Sequence, residues 1–283
     1  MRRLLWVPLI LAIMGVGGSF HIGGRLAEPS LRAVGAPPRD LPAESVEFPG
    51  GSGPVRGWFI AGRPGNGAVL LLHGIRDDRR AMTGRARFLH RAGYSVLTID
   101  FQAHGESPGE RITFGYREAR DALAAARYLK RRLAGEPLGV IGFSLGGAAA
   151  LLSEAPLPAD AFVLEAVYPT LRRAVENRIA LRLGEAGRLL APLLLWQVKP
   201  RLGFDPDALA PIDRIGEIGK PVLIVGGSDD RHTAPEDTRA LFAGARAPKR
   251  LWMIDGAGHE DFHARARMAY EARILEFLGR HLR

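Results

Sequence analysis

Six short, nearly unbroken apolar runs recur along this chain, separated by longer stretches, several of them with helical spacing. They are AVLLLH (68–73), SVLTID (95–100), LGVIGF (138–143), AFVLEA (161–166), PVLIVGG (221–227) and RLWMID (250–255). A strand with one wet face alternates apolar with polar residues. A strand that is apolar throughout is covered on both faces, as in a parallel sheet between two layers of helix. The intervening YREARDALAAARYLKRRL places Ala122, Ala126, Leu129 and Leu133 on one helical stripe. The last segment repeats that spacing with Tyr270, Ile274, Phe277 and Leu278. Upstream, VEF and VRGWFI flank the turn-rich PGGSGP, a hairpin signal. A hairpin followed by repeated strand–helix units predicts an α/β fold: a mostly parallel, eight-stranded sheet with helices on both faces.

Two regions break this rhythm. Residues 167–215 separate two strands by far more than an ordinary crossover, which predicts a small cap of two or three helices. Its apolar Leu189, Leu190, Leu193, Leu194 and Trp196 are expected to pack down on the body, with a hydrophobic pocket wall as the alternative. At the other end, Arg2 and Arg3 precede 21 residues, Leu4 to Gly24, that contain no Asp, Glu, Lys or Arg. A helix of about 20 apolar residues just spans a bilayer. Residues 1–24 are therefore expected to be a membrane anchor, and the basic N-terminus places the folded domain outside the cytoplasm. Gly17-Gly18-Ser19 offers a cleavage site, so a signal segment that releases a secreted or periplasmic protein is the alternative. A buried N-terminal helix is the third reading. Residues 25–44, rich in Pro, Gly and Ala, read as a linker, and the folded domain as 45–283.

The chain has no Cys, which excludes disulfides, thiolate metal sites and a cysteine nucleophile. Its net charge is +9; only four of its 39 basic residues are Lys, so 35 are Arg. These are scattered among acids, without the concentrated basic element and interleaved aromatics that nucleic-acid binding uses, so nucleic acid is not an expected partner.

Gly142-Phe143-Ser144-Leu145-Gly146 fits G-x-S-x-G and lies between an apolar strand and an Ala/Leu-rich helix. A sharp turn there lifts a serine hydroxyl above the sheet, and glycines flank it because the turn leaves no room for Cβ atoms. A serine needs a base, and the base an orienting acid. SDDRHTAPED follows one later strand and GAGHEDFH the next, which puts Asp230 and His259 after Ser144 in the order acid, then base. Asp229 is an alternative acid, and Glu165 a further one. The Ile75 amide, just after His73-Gly74, and the Leu145 amide are the expected oxyanion donors. His73, Tyr168 and Trp196 are candidates for the substrate pocket; structural packing explains each equally well, and His232 reads as structural or rim.

His259-Glu260-Asp261-Phe262-His263 also spells the zinc-protease letters H-E-x-x-H. Only Glu271 and Glu276 are acids in the 20 residues that follow, and Ala266 and Ala269 stand where the longer zinc pattern needs Gly and His. No metal is expected there. Glu260 and Asp261 are read as neighbours of His259 or as helix caps.

Together LLLHGIRDDRR, TIDFQAHGESPGE, GFSLGG, GGSDDRHTAPED and GAGH resemble the α/β-hydrolase superfamily, and within it membrane-anchored, small-cap serine hydrolases related to serine aminopeptidase and lysophospholipase-like enzymes. The resemblance covers about 45–283. It implies Ser144 as nucleophile, His259 as base, Asp230 as acid, the Ile75 and Leu145 amides as oxyanion donors, a small acyl substrate and no cofactor. It also implies that the 100–105 loop borders the site, for which structural support is the simpler role. The expected activity is carboxylic ester hydrolysis. An aminopeptidase or amidase, an acyl transferase and a non-catalytic binding protein of the same fold are the alternatives.

Overall fold

A computed structural model describes the backbone of residues 6–282, with side chains from residue 15 onward. Helix α1 (Trp6–Leu26) leads into a two-residue strand β1 (Ser30–Leu31) and the hairpin β2 (Ala43–Pro49) and β3 (Pro54–Ile60). Strand β4 (Ala68–Leu72), helix α2 (Thr83–Arg91) and strand β5 (Ser95–Ile99) follow, then the short β6 (His104–Gly105) and α3 (Glu118–Arg132). Next come β7 (Leu138–Phe143), α4 (Leu145–Leu151) and β8 (Ala161–Glu165). Four short helices form the cap: α5 (Leu171–Leu183), α6 (Ala191–Leu195), α7 (Val198–Leu202) and α8 (Pro211–Arg214). The chain closes with β9 (Val222–Gly227), α9 (Pro235–Gly244), β10 (Lys249–Ile254), α10 (Phe262–Arg265) and α11 (Arg267–His281).

The main sheet has eight strands in the order β10-β9-β8-β7-β4-β5-β3-β2. Only β3 pairs antiparallel, with β2 and with β5; every other pairing is parallel. Every residue of β4, β5, β8 and β9 is buried, as unbroken apolar runs require. Ala122, Ala126 and Leu129 of α3 pack on one face with Leu70, Val140 and Ile224. Tyr270, Ile274, Phe277 and Leu278 of α11 pack on the other with Phe88, Val69 and Val163. Strand β4 has β5 on one side and β7 on the other, so strand order reverses there. The crevice above such a reversal, at the carboxyl ends of the strands, is where open α/β sheets place their sites.

The cap core is Leu171, Ala191, Leu195, Val198, Leu202, Phe204 and Leu209. The apolar residues expected to pack are mostly elsewhere: Leu189 is 82% and Trp196 49% exposed. The first two residues of the predicted cap cluster, Leu189 and Leu190, fall on a short 3-10 turn, Glu185–Leu190, and both are exposed.

The described end of α1 lies on the cap. Gln197 Nε2 donates to the Ser19 carbonyl at 2.9 Å and Arg201 Nη2 to the Phe20 carbonyl at 2.7 Å. A Cβ on Gly23 would stand 2.5 Å from Gln197 Oε1, so a larger residue there has to displace the Gln197 amide that holds the helix. Residues 25–44 are laid on the domain: β1 pairs with β6, and Ala27, Val34 and Leu41 are buried. Among the described residues no helix is long and apolar enough to cross a membrane. The expected anchor over 1–24 thus finds no support there, and its first part lies outside the residues described.

Candidate active site

The turn from β7 into α4 bends the backbone of Ser144 to φ 50° and ψ −111°, a conformation non-glycine residues rarely take. Three glycines make room for it. A Cβ on Gly142 would lie 2.6 Å from Gly147 Cα, one on Gly146 2.3 Å from the Leu72 carbonyl, and one on Gly147 2.2 Å from Val167. The bend is held by the Ser144 N–H, which donates to the Glu165 carbonyl at 2.7 Å. It turns the hydroxyl up to the crevice.

His259 meets it there. Its Nε2 lies 3.2 Å from Ser144 Oγ, and its Nδ1 2.8 Å from Asp230 Oδ2. A carboxylate at Nδ1 fixes the proton on that nitrogen, which leaves Nε2 as the acceptor. The other carboxylate oxygen, Oδ1, accepts the His232 and Thr233 amides at 2.8 and 2.9 Å. Asp230 is buried with both oxygens hydrogen-bonded, and Phe143 and His232 flank the imidazole with ring centroids 5.2 and 5.1 Å away. The two loops are joined where the Asp229 amide donates to the Ala257 carbonyl at 2.9 Å. A Cβ on Gly227 would be 2.2 Å from that same carbonyl.

Of the two adjacent aspartates, Asp230 faces the ring, while Asp229 is exposed and accepts from Ser228. Glu165 is turned away beneath the sheet edge, where it pairs with Arg85 at 2.6 Å and accepts the Tyr270 hydroxyl. Asp261 caps α10 by accepting the His263 amide, and Glu260 accepts the Gly258 amide. His263 stacks on Phe88 and bonds Glu271 at 3.0 Å, so the two histidines of the H-E-x-x-H letters face different partners.

Beside Ser144 opens an apolar pocket. Ile75 and Leu145 line it, and neither amide donates a hydrogen bond among the described residues. The cap supplies Leu171, Ala174, Val175, Leu195, Val198 and Leu202, and α1 supplies Gly23, Leu26 and the adjoining Ala27. Tyr168 lines it as well, its hydroxyl donating to the Phe114 carbonyl; burial raises that hydroxyl's pKa above its ordinary value.

The other two pocket candidates are elsewhere. His73 is wholly buried below the site, where Nε2 accepts the Phe101 amide at 3.2 Å and Nδ1 faces the Gly74 carbonyl at 2.7 Å. Burial and the neighbouring His104 push its pKa down to about 3, so it stays neutral. Trp196 faces outward against Phe20, 6.5 Å away. The 100–105 loop acts as support: Asp100 pairs with Arg79, and Gln102 bonds Glu118. Sequence reasoning did not find Arg178 or the α1 wall. The spacing of Leu171, Ala174, Val175 and Arg178 on one face was a usable signal for the first. For the second there was none, because the contact is with a distant segment.

A profile of the Alpha/beta hydrolase family matches residues 69–272. The uncharacterized protein Rv2307c of Mycobacterium tuberculosis is 33% identical over 210 residues, 72% of this chain and 68% of that protein. The lysophosphatidylserine lipase ABHD12 of Danio rerio is 27% identical over 57% of this chain and 43% of its own length. Among solved structures, the esterase Pf2001 of Pyrococcus furiosus superposes with a TM-score of 0.72 at 25% identity, over 90% of this chain and all of that one.

Proposed function

Because the chain belongs to the alpha/beta hydrolase family, we propose that it cleaves a carboxylic ester through Ser144, His259 and Asp230. The observation that carries this reading is the unbroken relay from Asp230 Oδ2 through the His259 ring to Ser144 Oγ, opening on an apolar pocket. The esterase and lipase among its relatives favour an ester over an amide.

Ser144 Oγ attacks the ester carbonyl as its proton passes to His259 Nε2. The carbonyl π pair moves onto oxygen, and the Ile75 and Leu145 amides hold that oxyanion. Each such donor contributes about 10²–10³ in rate. The tetrahedral centre then collapses, the alcohol leaves with the proton from His259, and the acyl group stays on Ser144. Water attacks that ester, His259 takes its proton and returns it to Ser144 Oγ, and the carboxylic acid departs. Asp230 holds the ring in the tautomer each step needs and offsets the charge it acquires.

A fluorophosphonate probe is expected to label the wild-type protein and to leave Ser144→Ala unlabelled. That variant should also lose p-nitrophenyl ester turnover by at least about 10³-fold. Equal labelling of both proteins, or none of either, removes Ser144 from the reaction.

A further inference from the structure

Helix α5 lines the pocket with Leu171, Ala174, Val175 and Arg178, all on one helical face. Three are apolar and the fourth is charged. The pocket lining contains two arginines and no Asp or Glu. Arg201 is occupied: it donates to the Phe20 carbonyl and to Gln197 Oε1, and lies 4.1 Å over the Phe20 ring. Among the described residues the Arg178 guanidinium donates only to the Ala174 carbonyl one turn back, at 3.2 Å. Three other cap arginines have carboxylates: Arg172 with Asp207, Arg173 with Asp237 and Glu176, Arg188 with Glu185. Among the described residues Arg178 forms no ion pair. The charge of Asp230 reaches it, but the oxygens of that carboxylate are taken by His259, His232 and Thr233.

Arg178 is partly buried, and a guanidinium partly withdrawn from water without a counter-ion is disfavoured; burial holds its pKa below its ordinary value. Burial, and after it the charge of Arg178, holds the pKa of His232 below its ordinary value, and the His232 ring lies against His259. Asn177, next to Arg178 on α5, donates to the His232 carbonyl at 3.1 Å, which sets this turn of the helix beside the His232–His259 pair, the side from which the leaving alcohol takes its proton. The walls from α1, α6 and α7 are largely apolar and suit a hydrocarbon chain.

We infer that Arg178 is an anion-binding residue of this pocket, and that the ester cleaved carries a phosphate or carboxylate on its alcohol portion. The inference rests on the ester-hydrolase reading given above and narrows it to a substrate class.

Three esters with one acyl chain, each below its micelle concentration, test this: neutral 1-acylglycerol, 1-acylglycerol 3-phosphate, and the monoacyl ester of glyceric acid. The wild-type kcat/KM is expected to favour at least one anionic ester over the neutral one about tenfold or more, as a charge-assisted hydrogen bond provides. The faster of the two names the anion. In Arg178→Leu that preference should fall to within about threefold, and Arg178→Lys, which keeps the charge but loses the planar fork, should retain part of it. A wild-type preference at or below unity, or an equal preference in wild type and Arg178→Leu, overturns the inference. Fluorophosphonate labelling of each protein separates the two ideas. Labelled proteins without the charge preference sink this inference alone, whereas an unlabelled wild type sinks the hydrolase reading itself.

Discussion

His73 shows how far one residue's surroundings can move it from what its letter suggests. Beside an oxyanion loop a histidine invites a catalytic reading, yet its hydrogen bonds fix a neutral ring inside the core. Its folded pKa of about 3 against an unfolded 6.5 gives a definite sign for acid stability. Between those values the unfolded chain binds a proton that the folded one refuses, so stability is full above about pH 6.5 and falls towards pH 3. The largest effect of such a shift is roughly 5 kcal/mol. Thermal unfolding followed from pH 7 to pH 4 should show the midpoint falling. His73→Gln, which can keep one donor and one acceptor, should fall less steeply; parallel curves would remove His73 as the source. Ser144 and His259 are the opposite case. A glycine-flanked serine after a strand, and a histidine on the last strand's loop, were legible because the turn chemistry is local. Asp230 and Asp229 were indistinguishable by spacing, since only the direction in which each side chain leaves the loop separates them.

At the scale of elements, the strands and the long helices were readable because burial on two faces, or on one stripe, leaves a periodic signature. The cap was readable as an insertion and misread in detail. Leu189 and Trp196 looked like core, but their turns face solvent, and Leu195, Val198 and Leu202 fill the interior. Helix α1, read as an anchor or signal segment, was not foreseen as a part of the site, because nothing local marks a helix end that will close a pocket some 170 residues further on. Its close approach at Gly23 is open to a direct test. Gly23→Val places new atoms against Gln197, 2.5 Å from where the Cβ would stand, and should push the helix off the cap. Removing that wall should lower kcat/KM for a long-chain p-nitrophenyl ester about tenfold, near 1.4 kcal/mol of lost apolar contact, and an acetate ester by less than about threefold. An equal loss on both would mean α1 does not grip the chain.

On the scale of the whole molecule, one buried network joins three layers. Arg85 of α2 pairs with Glu165 at the end of β8 and with Asp261 before α10, both at 2.6 Å. It also donates to the Tyr270 hydroxyl of α11 at 3.0 Å. Glu165 additionally lends its carbonyl to the Ser144 amide, so the network stands directly under the strained turn. Breaking a buried ion pair from one side leaves the other charge uncompensated and costs about 3–5 kcal/mol. Glu165→Gln is therefore expected to lower the unfolding midpoint by roughly 6–12 °C. A change of less than about 2 °C would show that the network contributes little to stability.

Sequence by itself determined the doubly covered parallel sheet, the glycine-walled serine turn and the strand-end loops that carry Asp230 and His259, because each depends on neighbours within a few residues or on a repeating period. Tertiary structure alone decided which aspartate meets His259, that Glu165 serves Arg85, that α1 walls the pocket, and that Arg178 stands in it without a carboxylate partner among the described residues. Those outcomes depend on atoms brought together across tens to hundreds of residues, where a side chain's direction and the partners already taken, rather than its chemical type, fix what it can do.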